Sequence, residues 1–450
     1  MRVQKKVGGA NLIIKIKILF VFFVLFFSKI SLANIVLDHE IEKFLKEIIK
    51  PIITLSHSNF EESDLVIILE KTPNAFVNRD KKIVLTTGLL TFADRSEEIL
   101  GILAHEIGHL DANHIDMRIE KLDNHKSISE LSKIISLSTS LITNNPDFFI
   151  GTNIAYDEIA KNNISNFSKD QEREADIIAL KYLEKTQISS NGLKNFLQRL
   201  VIFNENLGIK EEDLTVYTHP YNKERIENII KFQKKSKYNN YYFSDQTNLR
   251  FKFVKAKING YTLNIENNKL IYKNLDNDEK KYALSISYAK GGFIKESLNL
   301  INYLIIKYPE NSFFYETKGE ILLNYGYSNE ATRFFEKSLT LDNENEYLRI
   351  KLIFQLYNKL EKIDDAKKIL VEFKKLKNKN NNNLLNLISN TYDFMDNISE
   401  KFYYLALIEK NKKNYILSYD YLEYAKLNTK NDNLLKKYEN LMNEVKNEIQ

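Results

Sequence analysis

Two histidines and a glutamate in the stretch His105-Glu106-Ile107-Gly108-His109 have the spacing of a metal site. On a helix, residues four apart lie one above the other on the same face, so both imidazoles can bind one ion. Glu106 then lies beside the metal, where its carboxylate can accept a proton from the attacking water molecule. The chain has only 7 histidines in 450 residues, so this pattern would arise by chance in about one such chain in a hundred. The motif therefore predicts a site for one Zn²⁺ ion.

A helix must hold both histidines on one face, and the surrounding sequence predicts one. Apolar residues recur there at helical spacing and give the helix a buried flank; they are Ile99, Leu103, Ile107 and Leu110. Just upstream, Asp94-Arg95-Ser96-Glu97 has the spacing of a capping box, which indicates that the helix begins there.

The third ligand must come from a second helix, because catalytic zinc is held by three protein groups. Ser168-Lys169-Asp170-Gln171 is another capping signature and predicts a helix that carries Glu172 and Asp176 on one face. We expect Glu172 to be the ligand and Asp176 to accept a hydrogen bond from a ligand histidine. A solvated acidic flank is the alternative for this pair. Glu174 is the alternative ligand, but it lies about 200° around the helix from Glu172 and cannot share its face.

A later histidine stands in a loop. A helix is predicted for Gly192–Asn206, and Thr218-His219-Pro220 follows it. A loop histidine fixed before a proline could reach the metal cleft, where it would stabilise the oxyanion or close over the site. The alternative interpretation is an ordinary turn histidine.

Three short strands are predicted before the histidine helix. They are Asp64–Leu69, Asn74–Asn78 and Lys82–Thr86, and the last two are joined by the charged turn Arg79-Asp80-Lys81. A small sheet beside such a helix suits a peptidase, whose substrates often bind extended along a strand edge. A purely structural hairpin agrees equally well with the sequence.

Two more segments have a helical pattern. Asp38–Ile49 is predicted to be a helix that Pro51 ends. Ser127–Ile142 is apolar but too short and too polar to span a membrane, so we expect a core helix of the catalytic domain. A cover over the active-site cleft is the alternative for this segment, and Asn144–Asn166 is predicted to be a loop.

Charge and composition indicate an ordinary folded protein. Hydrophobic residues make up 43% and charged residues 28% of the chain, which is ordinary for two or three soluble domains. Six of the 65 basic residues precede residue 34, where there is no acid, so 59 basic and 60 acidic residues remain. This near balance gives no reason to expect a nucleic-acid partner.

The segment Met1–Ala33 is predicted to be a cleaved signal peptide. Lysines precede the apolar run Ile18–Phe27, and Ser31-Leu32-Ala33 supplies small residues for a cut after Ala33. An uncleaved anchor is the alternative, but the run is shorter than the about 20 residues that a membrane span needs. The chain has no cysteine, so it has neither disulfides nor thiolate ligands, which is compatible with the periplasm. A periplasmic location is also compatible with peripheral membrane association.

The C-terminal part repeats with a period of about 34 residues, which is the length of a tetratricopeptide repeat. The matched pairs are Ser297 with Ala331, Ile301 with Phe335, and Pro309 with Asn343; Gly319 takes the small-residue position of the second copy. This predicts about four tetratricopeptide-like repeats, with generic helical hairpins as the alternative. Such repeats form a concave surface that binds extended or partly folded protein segments.

The sequence thus divides into three parts after the signal peptide. We expect a metallopeptidase domain at 34–232, a connecting segment at 233–275 and the repeat domain at 276–450. Within the connection, Leu249–Ile258 is predicted to be helical and Tyr261–Tyr272 turn-like.

Several motifs together resemble the family of zinc metallopeptidases that includes the CAAX prenyl proteases and the HtpX-like membrane peptidases. They are His105-Glu106-Ile107-Gly108-His109 with His114 five residues on, Glu172-x-x-x-Asp176, and His219-Pro220 with Arg225; Asn74-Ala75-Phe76 and Thr87-Gly88-Leu89-Leu90 match the upstream pattern. The resemblance covers about residues 35–230. The charged stretch Val77–Lys82 departs from the family's neutral, glycine-rich hairpin, and the prenyl proteases' membrane spans are missing, so prenylated substrates are not expected.

The resemblance implies a role for each matched residue. His105, His109 and Glu172 would hold Zn²⁺, Glu106 would be the general base, and Asp176 would support a ligand histidine. His219 and Arg225 would lie near the cleft as transition-state or gating residues, and Asn74-Ala75-Phe76 together with Arg225 would bind substrate.

The fold expected is mainly α, with a helical metallopeptidase domain, a small β-sheet and an α-solenoid of repeats. The function expected is an exported zinc metalloendopeptidase that degrades misfolded or stalled envelope proteins. The resemblance and the repeats imply quality control of outer-membrane proteins, with repeats that bind the client or the assembly machinery. The alternative is a chaperone-like repeat adaptor in outer-membrane assembly with a latent zinc site; a peptide scavenger is a weaker third interpretation.

Overall fold

Helices dominate the structure, a computed structural model that describes residues 35–124, 167–206, 223–275 and 277–449. Two units are present: the first ends at residue 255, and the second runs from residue 256 and includes Asp38–Ile41. The predicted signal peptide and the segment Ser127–Ile142 lie outside the described residues. Within the described ranges, every helix is too short or too polar to traverse a bilayer.

A three-stranded sheet lies in the first unit. Its strands are β1 (Leu65–Ile68), β2 (Ala75–Val77) and β3 (Ile83–Thr86). β3 lies in the middle, parallel to β1 and antiparallel to β2. All four residues of β3 are buried, as expected of an apolar strand that is covered on both faces. The structure confirms the three predicted strands and leaves β2 at the edge of the described sheet.

Eight helices of the described residues belong wholly or partly to the first unit. They are α1 (His39–Ile53), α2 (Thr87–Phe92), α3 (Ser96–Asp111), α4 (His114–Asn124), α5 (Lys169–Lys185), α6 (Asn191–Asn206), α7 (Lys223–Gln233) and α8 (Asp245–Thr262). The boundary between the units falls within α1 and within α8. The predicted histidine helix and the predicted helices that open at Ser168 and Gly192 correspond to α3, α5 and α6.

The core of the first unit is built around α3. All of its residues from Ser96 to Leu110 are buried, because α5, α6 and β2 pack against it. A helix that is buried all round has its side chains fixed by neighbours on every side. The predicted buried flank is therefore one part of a fully enclosed helix.

The predicted capping box at Asp94-Arg95-Ser96-Glu97 is wrong. The residue before α3 is Arg95, whose side chain makes no capping hydrogen bond. The Ser96 N–H instead donates to Asn248 Oδ1 at 3.0 Å, and the Asp94 N–H donates to Glu98 Oε2 at 3.0 Å. A side chain 152 residues away satisfies the helix start, so local spacing could not predict the cap.

Two other local predictions are also wrong. Pro51 lies inside α1 and does not end it, and the stretch predicted to be turn-like contains the helix α9 (Ile265–Ile271). Asn264 caps α9, and the buried Asn268 side chain donates to the Asn259 carbonyl oxygen at 3.1 Å. These asparagines therefore support a helix, because their polar groups have partners within the fold.

The second unit continues with five helix pairs in residues 277–449. This confirms the predicted helical repeat region, but about four pairs were expected. The pairs are α10 (Asp278–Lys290) with α11 (Ile294–Lys307), α12 (Ser312–Asn324) with α13 (Ser328–Leu341), α14 (Glu346–Tyr357) with α15 (Ile363–Lys374), α16 (Asn382–Phe394) with α17 (Ile398–Asn411), and α18 (Tyr415–Leu427) with α19 (Asp432–Ile449). The first three pairs begin at the equal intervals that the predicted period requires, and the fourth begins slightly later than that period would place it.

Close packing within the pairs accounts for the small residues of the repeat. A Cβ on Gly319 would lie 2.5 Å from a ring carbon of Phe335, so α12 and α13 can cross this closely only at a glycine. The Ser297 hydroxyl donates to the Ser285 carbonyl oxygen at 2.6 Å, and Ser418 makes the same bond to Ala406 at 2.8 Å. The period of the sequence is thus the spacing of one helix pair.

We predict that Gly108→Ala destabilises the first unit and loosens α5. The new Cβ would lie 2.7 Å from the Ala175 carbonyl oxygen, so the crossing of α3 and α5 must open. The expected loss is about 1–3 kcal/mol in the free energy of unfolding, measured in denaturant.

Gly101→Ala is the matched control, because its Cβ would press on Leu193 of α6 at 2.8 Å instead. Amide hydrogen exchange should accelerate in α5 for Gly108→Ala and in α6 for Gly101→Ala. Unchanged exchange in α5 for Gly108→Ala would contradict the prediction.

Candidate metal centre

Three buried side chains converge between α3 and α5. His105 Nε2 and His109 Nε2 lie 3.1 Å apart. The Glu172 carboxylate oxygens lie 3.3 Å from His105 Nε2 and 3.5 Å from His109 Nε2. The two helices therefore bring together the three side chains that the sequence predicted as metal ligands, and these form a group that could hold an ion.

The spacing of these donor atoms fits a zinc ion. Zinc binds imidazole nitrogen at about 2.0–2.1 Å and carboxylate oxygen at about 2.0–2.2 Å in tetrahedral geometry. Such bonds place neighbouring ligand atoms about 3.3–3.4 Å apart, and the three distances observed here bracket that value. Two neutral imidazoles and one carboxylate are also the donor set of many zinc hydrolases, which leave a fourth position open.

Asp176 lies behind His105. Its Oδ1 is 2.9 Å from His105 Nδ1, the ring nitrogen that faces away from the other ligands. A proton on Nδ1 then donates to Asp176, so that the lone pair on Nε2 is left for a metal. This is the contact that the sequence predicted for Asp176.

Arg225 from α7 joins the two buried carboxylates of α5. Its Nε and Nη2 donate to the two Asp176 oxygens, each at 2.7 Å, and its Nη1 lies 2.8 Å from Glu172 Oε2. Arg225 is 4% exposed, so this is a buried, bidentate ion pair with a second carboxylate attached. Arg225 thus lies in the centre, where it neutralises charge and orients Asp176.

Asp176 stays ionised because of these partners. Burial by itself would raise its pKa, but the Arg225 charge and the hydrogen bond with His105 hold the pKa of Asp176 at about 2, below its ordinary 3.8. A carboxyl group whose pKa is lower in the folded state stabilises the fold above the unfolded-state pKa. The contribution, about 2 kcal/mol, is therefore complete above about pH 4 and is lost as the pH falls toward 2.

A small pocket adjoins the candidate ligands on the side of Glu106, and all of its lining residues are buried. Its polar lining includes His105, Glu106 and Arg225. The rest is apolar and consists of Ala75, Leu89, Ile102, Leu193, Phe196 and Leu197. Glu106 is 1% exposed, so its carboxylate faces this pocket and the protein interior, away from bulk water.

Three of the predicted substrate-binding residues, Asn74, Ala75 and Phe76, lie on and beside β2, whereas Arg225 lies on α7. Ala75 lines the pocket, whereas the Phe76 side chain packs with Ile68 and Val84 in the sheet. The Asn74 backbone is tied to Thr86, whose hydroxyl accepts from its N–H at 3.0 Å. His219 lies outside the described residues, so its prediction stays a prediction.

Two contacts of His109 were not predicted from the sequence. The ring of Phe167 stacks on the His109 ring with centroids 3.9 Å apart and planes at 26°. His109 Nδ1 also lies 3.0 Å from Nδ1 of His114, and Glu174 lies beyond His114. The spacing from His109 to His114 was a signal for the second contact, but no periodic pattern marks Phe167.

Comparison with known proteins shows what the part of the chain that holds this centre is similar to. Residues 40–233 match the family model of Peptidase family M48. A β-barrel assembly-enhancing protease from Yersinia pestis is 22% identical over 62% of this chain and 57% of its own length. The mitochondrial metalloendopeptidase OMA1 from Schizosaccharomyces pombe is 25% identical over 42% of this chain and 52% of its own length. A β-barrel assembly-enhancing protease from Escherichia coli O157:H7 is 20% identical over 33% of this chain and 30% of its own length.

The match thus spans little more than half the length of the Yersinia pestis and Schizosaccharomyces pombe relatives. It spans about a third of the length of the Escherichia coli relative. The family match confirms the resemblance that the motifs indicated. It includes both helices that carry the three converging side chains, together with Arg225.

We predict that Arg225→Met lowers the free energy of unfolding by about 3–5 kcal/mol, because it leaves two buried carboxylates without the guanidinium that compensates their charge. The measurement is denaturant unfolding of the chelator-treated protein. Arg225→Lys keeps the charge but loses the bidentate geometry, so its loss should be intermediate.

Arg173→Met is the matched control. Arg173 also contacts two carboxylates, Asp170 and Glu224, each at 2.8 Å, but it is about half exposed. Its loss should stay below about 1 kcal/mol, as for other surface ion pairs. Equal losses for Arg173→Met and Arg225→Met would contradict the buried-charge argument.

Proposed function

We propose that this chain, with its peptidase family M48 domain at residues 40–233, is a zinc metalloendopeptidase. One observation carries the proposal: two histidine nitrogens and a carboxylate converge within 3.1–3.5 Å of one another in a buried centre. Glu106 lies next to the first of these histidines and lines the adjoining pocket. A metal, a base and a cleft are the parts that hydrolysis of a peptide bond requires.

The residues of the chain divide the work of the reaction. Bound zinc would polarise the substrate carbonyl and make a water molecule more acidic. Glu106 would accept the proton of the attacking water and deliver it to the leaving amine as the C–N bond breaks. Asp176 holds the His105 ring, and Arg225 keeps both buried carboxylates in place. His219 is retained as a candidate for contact with the oxyanion or for gating.

The pocket beside Glu106 supports apolar peptide segments as substrates. An extended peptide that pairs with the edge strand β2 would pass Ala75 and direct one side chain into the apolar pocket. Extended segments with large apolar side chains are exposed mainly in unfolded or incompletely folded proteins. We therefore infer that unfolded proteins are the substrate class.

The proposed setting is the periplasm, in quality control of outer-membrane proteins. The lysine-rich, apolar start of the sequence supports export. Two of the relatives are β-barrel assembly-enhancing proteases by name. The helix pairs of the second unit, interpreted as tetratricopeptide-like repeats, would bind the client or the assembly machinery.

We predict that Glu106→Gln keeps one zinc ion per chain but lowers casein cleavage by about 10²- to 10⁴-fold, since it removes the base and leaves the ligands intact. His105→Ala should lose both zinc and cleavage. Metal content by atomic emission and cleavage by gel or fluorescence measure the two effects.

The outcomes separate the proposed enzyme from the adaptor. A wild-type protein that binds zinc but cleaves neither casein nor unfolded β-barrel protein would favour the chaperone-like adaptor with a latent site. Absence of bound zinc from the wild type would overturn the proposed function.

We also predict that peptides with leucine or phenylalanine next to the scissile bond are cleaved at least about tenfold faster, by kcat/KM, than peptides with aspartate there. Leu197→Ala enlarges the pocket and should shift the preference toward the bulkier side chain. Leu200→Ala is the control, because Leu200 is buried on the same helix but does not line the pocket. It should lower stability and leave the ratio unchanged; equal ratios in both variants would contradict the pocket assignment.

A further inference from the structure

A chain of hydrogen-bonding groups leads from His109 to the surface of α5. His109 Nδ1 lies 3.0 Å from His114 Nδ1, and His114 Nε2 lies 3.2 Å from Glu174 Oε2. His114 is fully buried, although it is the first residue of α4, whereas the Glu174 side chain is 61% exposed. This series of hydrogen-bonding groups therefore begins at a proposed metal ligand, His109, and ends at the solvated carboxylate of Glu174.

The protons along this chain can have only one arrangement when His109 binds a metal through Nε2. Nδ1 of His109 then carries the ring proton and acts as the donor toward His114. His114 Nδ1 must accept, so the proton of a neutral His114 is on Nε2, where it donates to the Glu174 carboxylate. Each of the two contacts has one donor and one acceptor in this arrangement.

We propose that His114 is a positioning residue for His109 and that Glu174 acts on the metal centre through His114. This inference rests on the proposed zinc site. His105 receives the corresponding support directly from Asp176 at 2.9 Å. Helix α5 thus supplies three acids with three tasks: Glu172 binds the metal, Asp176 orients the first histidine, and Glu174 orients the second.

A neutral imidazole between His109 and Glu174 avoids a further buried charge. The buried carboxylates of Glu172 and Asp176 already share one guanidinium, so a third buried carboxylate would lack a counter-charge. With His114 between them, the negative charge of Glu174 stays in water; Glu174 holds the ring of His114 by a hydrogen bond, and His114 in turn holds the ring of His109. Phe167, stacked on the same ring, holds its plane.

The backbone before α4 places His114 for this contact. Asn113 has φ +54°, a left-handed conformation that asparagine tolerates better than most residues. Asn113 lies between the end of α3 and the start of α4, and the first side chain of α4 contacts His109 of α3.

The test compares zinc affinity by chelator competition in the full-length protein. His114→Phe preserves ring size but removes the acceptor, and should weaken zinc binding by about 10- to 100-fold, the usual cost of losing an outer partner of a ligand. His114→Asn can place an acceptor near the position of Nδ1 and should recover most of the affinity. His57→Phe, the same substitution at an exposed histidine, is the control and should leave the affinity unchanged.

A double-mutant cycle tests whether Glu174 acts through His114. Glu174→Ala should weaken zinc binding in the wild type but have no further effect in His114→Phe. The absorption bands of the cobalt-substituted protein should change in His114→Phe and not in His57→Phe.

Distinct outcomes separate this inference from the proposed function. A wild type that binds zinc, combined with a normal zinc affinity and cobalt spectrum in His114→Phe, would overturn the positioning role alone. Loss of thermal stability without loss of affinity in the folded protein would do the same. Additive effects of the two substitutions would overturn the role of Glu174, and a wild type without zinc would overturn both proposals.

Discussion

The candidate metal centre depends on how the first unit tolerates negative charge in its interior. Helix α5 directs Glu172 and Asp176 into an apolar core, where an isolated carboxylate would cost several kcal/mol. Arg225 offsets this cost, because one planar group reaches both carboxylates with three donors. α7, which carries Arg225, is therefore part of the centre as much as α3 and α5 are.

Much of the fold and the convergence of His105, His109 and Glu172 could be predicted, because both are encoded locally. Apolar runs and a charged turn marked the three strands, helical spacing marked α3, and the interval between Glu172 and Asp176 placed both on one face of α5. The partners of Arg225 could not be worked out from spacing alone, since Asp176 is 49 residues away in sequence and Glu172 is farther still. The incorrect cap of α3 has the same cause, because the distant Asn248 replaces the expected local side chain.

In the repeat region, the sequence period predicts the spacing of the first helix pairs but not that of the fourth. Three helix pairs keep the predicted spacing, and the next is displaced beside the asparagine- and lysine-rich run Lys377–Asn383. Only the packed positions, such as Gly319 and Phe335, must keep their size, whereas the connection between pairs can change length. Whether the pairs bind a client cannot follow from this spacing, since the same packing residues are required in either case.

The shortness of β2 has a consequence for how an enzyme of the proposed kind would select its targets. An edge strand of three residues can pair with only a few residues of backbone, so it recognises little of a target's sequence. Under the proposed function, any segment that places an apolar side chain in the pocket and stays extended long enough qualifies. A protein that folds quickly spends little time in that state and escapes, whereas a delayed one meets the cleft repeatedly. The folding rate of the target protein would then decide whether it is cleaved, because a slowly folding protein stays extended for longer.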